Sequence, residues 1–231
     1  MRSELKQDKI IIYNMIKKIR AQYPVFLNKN KQKLVFYPVK KNANTSAKLF
    51  FAKHLGVEDK LFFFEDEKPR YLHTDSDYQK YSGKYDLIKF FVGEYEFEEV
   101  DIEFKACITR DPIERFVSAY KNRVLYHKDK MFYNHSIDQI IEKLENGVFE
   151  NNHFNTQSHY LGNSLKYFDV VGNVSNIKKF QDYINDFFNK KIIFPRLQTG
   201  GGDNQISLNS SQIKKIRKIY DCDYQLIETS E

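Results

Sequence analysis

The stretch LVFYPVKKNANTSAKLFFAKHLG, Leu34 to Gly56, restricts the fold of this chain more than any other. Leu34, Val35, Phe36 and Tyr37 form a short apolar run of the kind buried in a sheet, and Pro38 interrupts it. From Thr45 the pattern turns helical through Leu49, Ala52 and Leu55 up to Gly56. Strand, loop and helix are therefore predicted in direct succession. The loop Lys40, Lys41, Asn42, Ala43, Asn44, Thr45, Ser46 sets two cations and two hydroxyls where the helix begins. There the free N–H groups and the helix dipole favour an anion such as a phosphate. A Walker A loop sets its lysine directly before the hydroxyl residue, whereas Lys41 precedes Thr45 by four positions, so this is not an ordinary ATP loop. For the loop taken alone, a strand-to-helix turn with solvated lysines is the plain alternative.

At 231 residues the chain fits one α/β domain over 1–231, and no repeat, low-complexity tract or Gly/Ser linker marks a boundary. Ile12, Met15, Ile16 and Ile19 have helical spacing, so a helix is expected over 4–20 within an N-terminal helical extension, 1–30. Lys plus Arg at 37 against Asp plus Glu at 31 gives 37 − 31 = +6, which suits an anionic ligand. The basic residues are spread rather than clustered, which argues against nucleic acid. Cys107 lies in an apolar run and Cys222 is the other cysteine, so reduced thiols are expected. No stretch resembles a signal peptide or approaches the ~18 apolar residues of a membrane span, and a cytoplasmic location is the expectation.

Farther along, Leu61–Phe64 is apolar and Glu65–Lys84 reads as irregular polar surface. Leu87–Val92 and Phe104–Thr109 are predicted strands of a buried parallel sheet. Such sheets bind ligands beyond the C-terminal ends of their strands, where Lys41, Glu94 and Arg110 all fall. The third strand runs into RDPIERFVSAY. Asp111 is a plausible N-cap, Pro112 takes the first helical position, and Glu114 completes a capping-box pattern. Ile113, Phe116, Val117, Tyr120 and Val124 make the apolar stripe, leaving Arg110 at the junction and Ser118 two turns in. In the plain reading RDP is good helix-start chemistry, with Arg110 a structural partner of Asp111.

A helix capped by Ser136 is predicted through Asn146, ended by Gly147. NNHFNTQSHYLG then carries His153, Gln157 and His159; His153 and Gln157 share a face if helical. Two histidines without a nearby Cys or carboxylate make a poor zinc site, so no metal is expected. Tyr167–Val171 reads as a strand, and Ser175 as the cap of a helix with Ile177, Phe180, Ile184 and Phe187 on one face. The loop Arg196–Ser211 holds Gly200–Gly202 without the GxGxxG pattern, and Asn209 or Ser210 caps a basic helix facing inward through Ile213, Ile216, Ile219 and Tyr220.

KNANTS resembles the PKNAGTS loop of the PAPS-dependent carbohydrate sulfotransferases (sulfotransferase family 2 type, related to the Golgi carbohydrate and heparan sulfate/uronyl 2-O enzymes), PAPS being 3'-phosphoadenosine 5'-phosphosulfate. Lys40 replaces the family's proline, and Asn44 its glycine, asparagine being tolerant of a left-handed backbone. RDPIERFVSAY resembles the segment whose Arg and Ser bind the donor's 3'-phosphate, and NNHFNTQSHYLG the HWRPQ-like stretch near donor and acceptor. YFDVVGNVSNIKKF and YDCDYQLI resemble later elements, so the likeness runs from Leu34 to Ile227.

The resemblance implies a three-layer, P-loop-like α/β sulfotransferase fold with a mainly parallel central sheet. It implies PAPS as donor and PAP as product, a hydroxyl-bearing acceptor, expected to be a saccharide, and no metal. Lys41, Asn42, Ala43, Asn44, Thr45 and Ser46 would hold the 5' end, with Lys41 catalytic, while Arg110 and Ser118 would hold the 3'-phosphate. FFVGEYEF puts Gly93 and Glu94 where many members carry a GH pair, so Glu94 is the expected base, with His153 in reserve. An ATP-dependent kinase on a related fold and a non-catalytic anion-binding protein are the rival classes.

Overall fold

The computed structural model describes residues 22–27, 33–58, 62–65, 68–71, 91–93, 102–149, 151–197 and 205–228. Its strands are β1 (Gln22–Leu27), β2 (Lys33–Tyr37), β3 (Phe62–Glu65), β4 (Lys68–Tyr71), β5 (Phe91–Gly93), β6 (Phe104–Thr109) and β7 (Val170–Asn173). Its helices are α1 (Asn44–Leu55), α2 (Pro112–Tyr120), α3 (Ile137–Glu145), α4 (Ser158–Leu161), α5 (Lys178–Phe188), α6 (Ser210–Ile219) and α7 (Asp221–Glu228). A π-helical turn, Lys121–Tyr126, prolongs α2, and a 3-10 turn, Leu165–Tyr167, precedes β7.

Among the described residues the main sheet has the order β5-β1-β2-β6-β7. β2, β6 and β7 are parallel neighbours, with Leu34 opposite Phe104 and Ala106 opposite Val170. Alternation along these strands sorts their side chains to two faces. Leu34, Phe36, Ala106 and Ile108 meet Phe50 and Phe51 of α1 and Phe180 and Ile184 of α5. Val35, Tyr37 and Cys107 point the other way, onto Tyr160 and Leu161 of α4 and Leu226 of α7. Helices on both faces of a largely parallel sheet make the expected three-layer α/β fold. A further cluster, with Phe116, Ile140, Ile141 and Ile216, ties α2 to α3 and α6. α5 crosses β7 so closely that a β-carbon on Gly172 would lie 2.9 Å from the Phe180 ring, so that position requires glycine.

Several elements differ from expectation. Gln22–Leu27, within the expected helical extension, is a strand lying between β2 and β5 and antiparallel to both; the helix expected over 4–20 lies outside the described residues. Of Leu87–Val92, Phe91 and Val92 are seen in β5, which sits beside β1 rather than in the parallel core. The aromatic run Phe62–Phe64 pairs with Lys68–Tyr71 as a hairpin, so the supposed irregular surface opens with a strand; residues 72–84 lie outside the described residues.

α1 buries Ala47, Phe50, Phe51 and His54 but leaves Leu49 and Leu55 half-buried, because Phe188 and Phe194 cover the side a surface helix would expose. β7 begins at Val170, since Tyr167 belongs to the 3-10 turn. α5 begins without a side-chain cap: Ser175 instead donates its N–H and hydroxyl to Asn173 Oδ1 at 2.9 and 2.7 Å. Ser136 with Gln139 and Asn209 with Gln212 form complete capping boxes on α3 and α6. Cys107 and Cys222 are both free thiols. No helix of the described residues is long and apolar enough to cross a membrane.

Candidate active site

Between β2 and α1 the chain passes through two left-handed residues, Lys41 at φ 70° and Ala43 at φ 54°. Asn44, expected to take that conformation, is instead the first residue of α1, with Ala43 as an N-cap whose side chain makes no capping bond. Left-handed residues of this kind can turn neighbouring backbone N–H groups toward an anion, here at the positive end of a twelve-residue helix. A non-glycine residue in this region costs about 1 to 2 kcal/mol and persists only where its surroundings hold it.

What holds it is Asn42, which is fully buried. Its amide donates to Ile108 O and to Gln157 Oε1, both at 2.7 Å, and its backbone N–H to Val39 O at 3.2 Å. Every donor of Asn42 is thus engaged inside the protein. Through these bonds Asn42 fastens the loop to β6. Ser46 Oγ accepts from Leu197 N at 3.0 Å, which docks the start of the glycine-containing loop on α1; Gly200–Gly202 lie outside the described residues.

Gln157, also fully buried, accepts from Arg110 N at 3.0 Å and donates to Arg110 O at 2.8 Å. Asp223, buried in turn, accepts from the N–H groups of Gln157 and Ser158 at the start of α4, both at 2.8 Å. Burial pushes the Asp223 carboxyl up from its ordinary value, and those N–H groups oppose the rise. His153 and Gln157 do not share a helical face, because α4 begins only at Ser158.

Arg110, at the end of β6, donates from Nη1 to Lys41 O at 3.2 Å and from Nε to Glu114 Oε2 at 3.3 Å. Asp111 caps α2 by accepting from Glu114 N at 2.9 Å, but the Glu114 carboxylate turns to Arg110, so half of the predicted box is replaced by an ion pair. Ser118, half-buried, lies one turn beyond Glu114 on α2. Arg115 is 1 % exposed and donates to Lys40 O at 2.9 Å and to His153 O at 3.3 Å. It was missed in the sequence, where a charged helix residue reads as solvated; the second arginine of the RDP motif was the available signal.

The cations converge. Burial pushes the Lys41 ammonium down to about 8, and Arg110, Arg123, Arg115 and Lys40 push the same way. Burial likewise pulls His153 down to about 3, aided by Lys40, Arg123, Lys41 and Arg115. Arg123 comes from the π-helical turn, which no sequence signal announced. Positive groups that destabilise one another in this way would be relieved by a bound anion. Glu94 lies outside the described residues; Gly93 before it ends β5 at the same end of the sheet as β2, since β1 runs antiparallel to both. A cavity of about 370 Å³, lined by Tyr120, Val124, Lys128, Tyr133 and Asn134 among others, opens beside the π-helical turn.

A family model described as the sulfotransferase family matches residues 24–228, beginning inside β1 and so ahead of Leu34, where the motif-based likeness starts. No curated protein and no solved structure matches the chain.

Proposed function

Because the chain belongs to the sulfotransferase family, we propose that it transfers a sulfuryl group from PAPS to a hydroxyl of a saccharide or glycoconjugate. The observation that supports this most is the 3.2 Å bond from Arg110 Nη1 to Lys41 O, which joins an anion seat at the end of β2 to a cation at the end of β6. PAPS carries anionic groups on both its 5' and 3' sides, and two linked seats suit it better than one. In this reading Lys41, Thr45, Ser46 and the N–H groups of Ala43 and Asn44 hold the 5'-phosphosulfate, while Arg110 and Ser118 hold the 3'-phosphate.

The acceptor oxygen forms its bond to sulfur in line with the breaking bond between sulfur and the bridging oxygen, whose electron pair leaves with PAP. Lys41 neutralises the charge growing on that oxygen, a contact of the kind that supplies ~3 to 4 kcal/mol at a transition state. The acceptor proton passes to a base, for which His153 and Glu94 are the candidates. Charge neutralisation falls to the cationic side chains, and the scheme includes no metal ion.

The test is twofold: protection of the protein from heat by PAP against ATP or ADP with magnesium, and transfer of sulfur-labelled sulfuryl from PAPS to a panel of sugars and glycolipids. Better protection by the magnesium nucleotides would point to a kinase. Neither protection nor transfer would leave an anion-binding protein without this activity.

A further inference from the structure

The hydrogen bonds around His153 determine which of its ring nitrogens carries the proton. Arg123 grips Asp129 through Nε to Oδ2 and Nη2 to Oδ1, both at 2.7 Å. Asp129 Oδ2 also accepts from Asn151 Nδ2 at 3.1 Å. A carboxylate held by a guanidinium only accepts, so the end of the Asn151 amide that faces it is the nitrogen. The other end, Oδ1, accepts from the backbone N–H of His153 at 2.9 Å, which sets the same orientation a second time.

That oxygen lies 2.7 Å from His153 Nδ1. An amide oxygen cannot donate, so Nδ1 must, and the neutral ring keeps its lone pair on Nε2. Arg115 holds the His153 carbonyl at 3.3 Å, so the backbone is anchored as well as the ring. With His153 pulled down to about 3 by burial and by Lys40, Arg123, Lys41 and Arg115, the ring is neutral near pH 7, the form that can take a proton. Those cations also weaken it as a base until anionic groups enter the site and offset them.

We propose that Asn151, backed by Asp129 and Arg123, is a positioning residue that holds His153 in the Nδ1–H tautomer and so presents Nε2 as the base for the acceptor hydroxyl. The inference rests on the sulfuryl-transfer reading above. Nε2 takes the hydroxyl proton as the acceptor oxygen bonds to sulfur and the bridging bond breaks, its electron pair leaving with PAP. The resulting imidazolium keeps its Nδ1–H on Asn151 Oδ1, which Asp129 holds in place through the Asn151 amide nitrogen. A histidine oriented by a polar partner that does not itself take the proton follows the logic of triad catalysis.

The test is nitrogen-15 NMR of ring-labelled histidine in the full chain, with His153 assigned through His153→Gln, alongside steady-state kinetics. The expected wild-type ring is protonated on Nδ1. Asn151→Ala should shift it toward the Nε2–H tautomer and lower kcat roughly 10- to 100-fold, part of the ~100-fold or more that general-base catalysis supplies, with KM for PAPS and affinity for PAP unchanged. Asp129→Asn should shift tautomer and kcat in the same direction. A wild-type ring protonated on Nε2, or an Asn151→Ala protein with unaltered kcat, overturns the proposal. A wild-type protein with the Nδ1–H ring that transfers nothing from PAPS overturns the base role together with the function reading, while the tautomer assignment stands on its own spectrum.

Discussion

Arg110 Nη1 donates to the backbone carbonyl of Lys41 at 3.2 Å, so the cation at the end of β6 also braces the loop at the end of β2. Arg110→Ala should therefore remove a phosphate donor and a loop restraint together. Hydrogen bonds to charged groups contribute ~1.5 to 3 kcal/mol, so PAP affinity should fall roughly 10- to 100-fold by calorimetry. Arg110→Lys, which keeps the charge but not the planar fork, should fall between the two. Unchanged affinity in a folded Arg110→Ala protein removes Arg110 from the phosphate site.

In the proposed reaction Lys41 acts on the leaving oxygen rather than on the resting donor. Lys41→Ala should lower kcat by about 100-fold or more while PAP affinity changes by no more than about tenfold. Wild-type turnover in this variant would exclude the loop from the mechanism.

The same lysine makes binding depend on pH. Its ammonium, held at about 8, gains an opposite charge when an anion arrives, so its value rises on binding and a proton is taken up. PAP affinity should accordingly be full below pH 8 and decline as the pH rises above it, by no more than about tenfold in all, the most that Lys41→Ala removes. Lys41→Arg, charged throughout, should bind with a flat profile across pH 7 to 9.5, and a flat wild-type profile would contradict the assignment.

The base can be told apart by two substitutions that keep shape and remove basicity. His153→Gln should lower turnover at least ~100-fold with PAP binding kept, and Glu94→Gln should leave it near normal. The reverse result moves the base to Glu94.

His54 links stability to pH. Its ring is stacked on Phe188 at 4.8 Å and meets the edge of Phe50 at 4.7 Å. Burial first, then Lys190, lowers it from 6.5 to about 4. The native ring stays neutral where the unfolded one is charged, so its stability contribution is whole above pH 6.5 and is lost as the pH falls toward 4, by about 3 kcal/mol in all. Urea unfolding at pH 7 and pH 5 should show His54→Leu losing about 2 kcal/mol less than wild type between the two. Equal losses would contradict it.

What could be read in the sequence is what short-range chemistry decides. β6 and the Asp111 cap of α2 were legible because an apolar run and an N-cap with proline behind it act over a few residues. β1 was not: Pro24 stands within it, opposite Phe91, and a proline argues against an interior strand. Nor were Lys41 and Ala43 as left-handed residues, since no glycine marks them. The partners of Arg115 and Gln157 were out of reach for another reason: Lys40 O and the Asn42 amide are 75 and 115 positions away along the chain.

The fastening of Asn42 to Ile108 O and Gln157 has a thermodynamic consequence for any ligand of the loop. Ordering a free backbone costs ~1 to 2 kcal/mol per residue, which a mobile phosphate loop gives up each time it closes on its anion. Here that entropy was surrendered when the chain folded. Little of an arriving anion's interaction energy then goes into ordering protein, and the loop's selectivity is decided by its shape before the encounter.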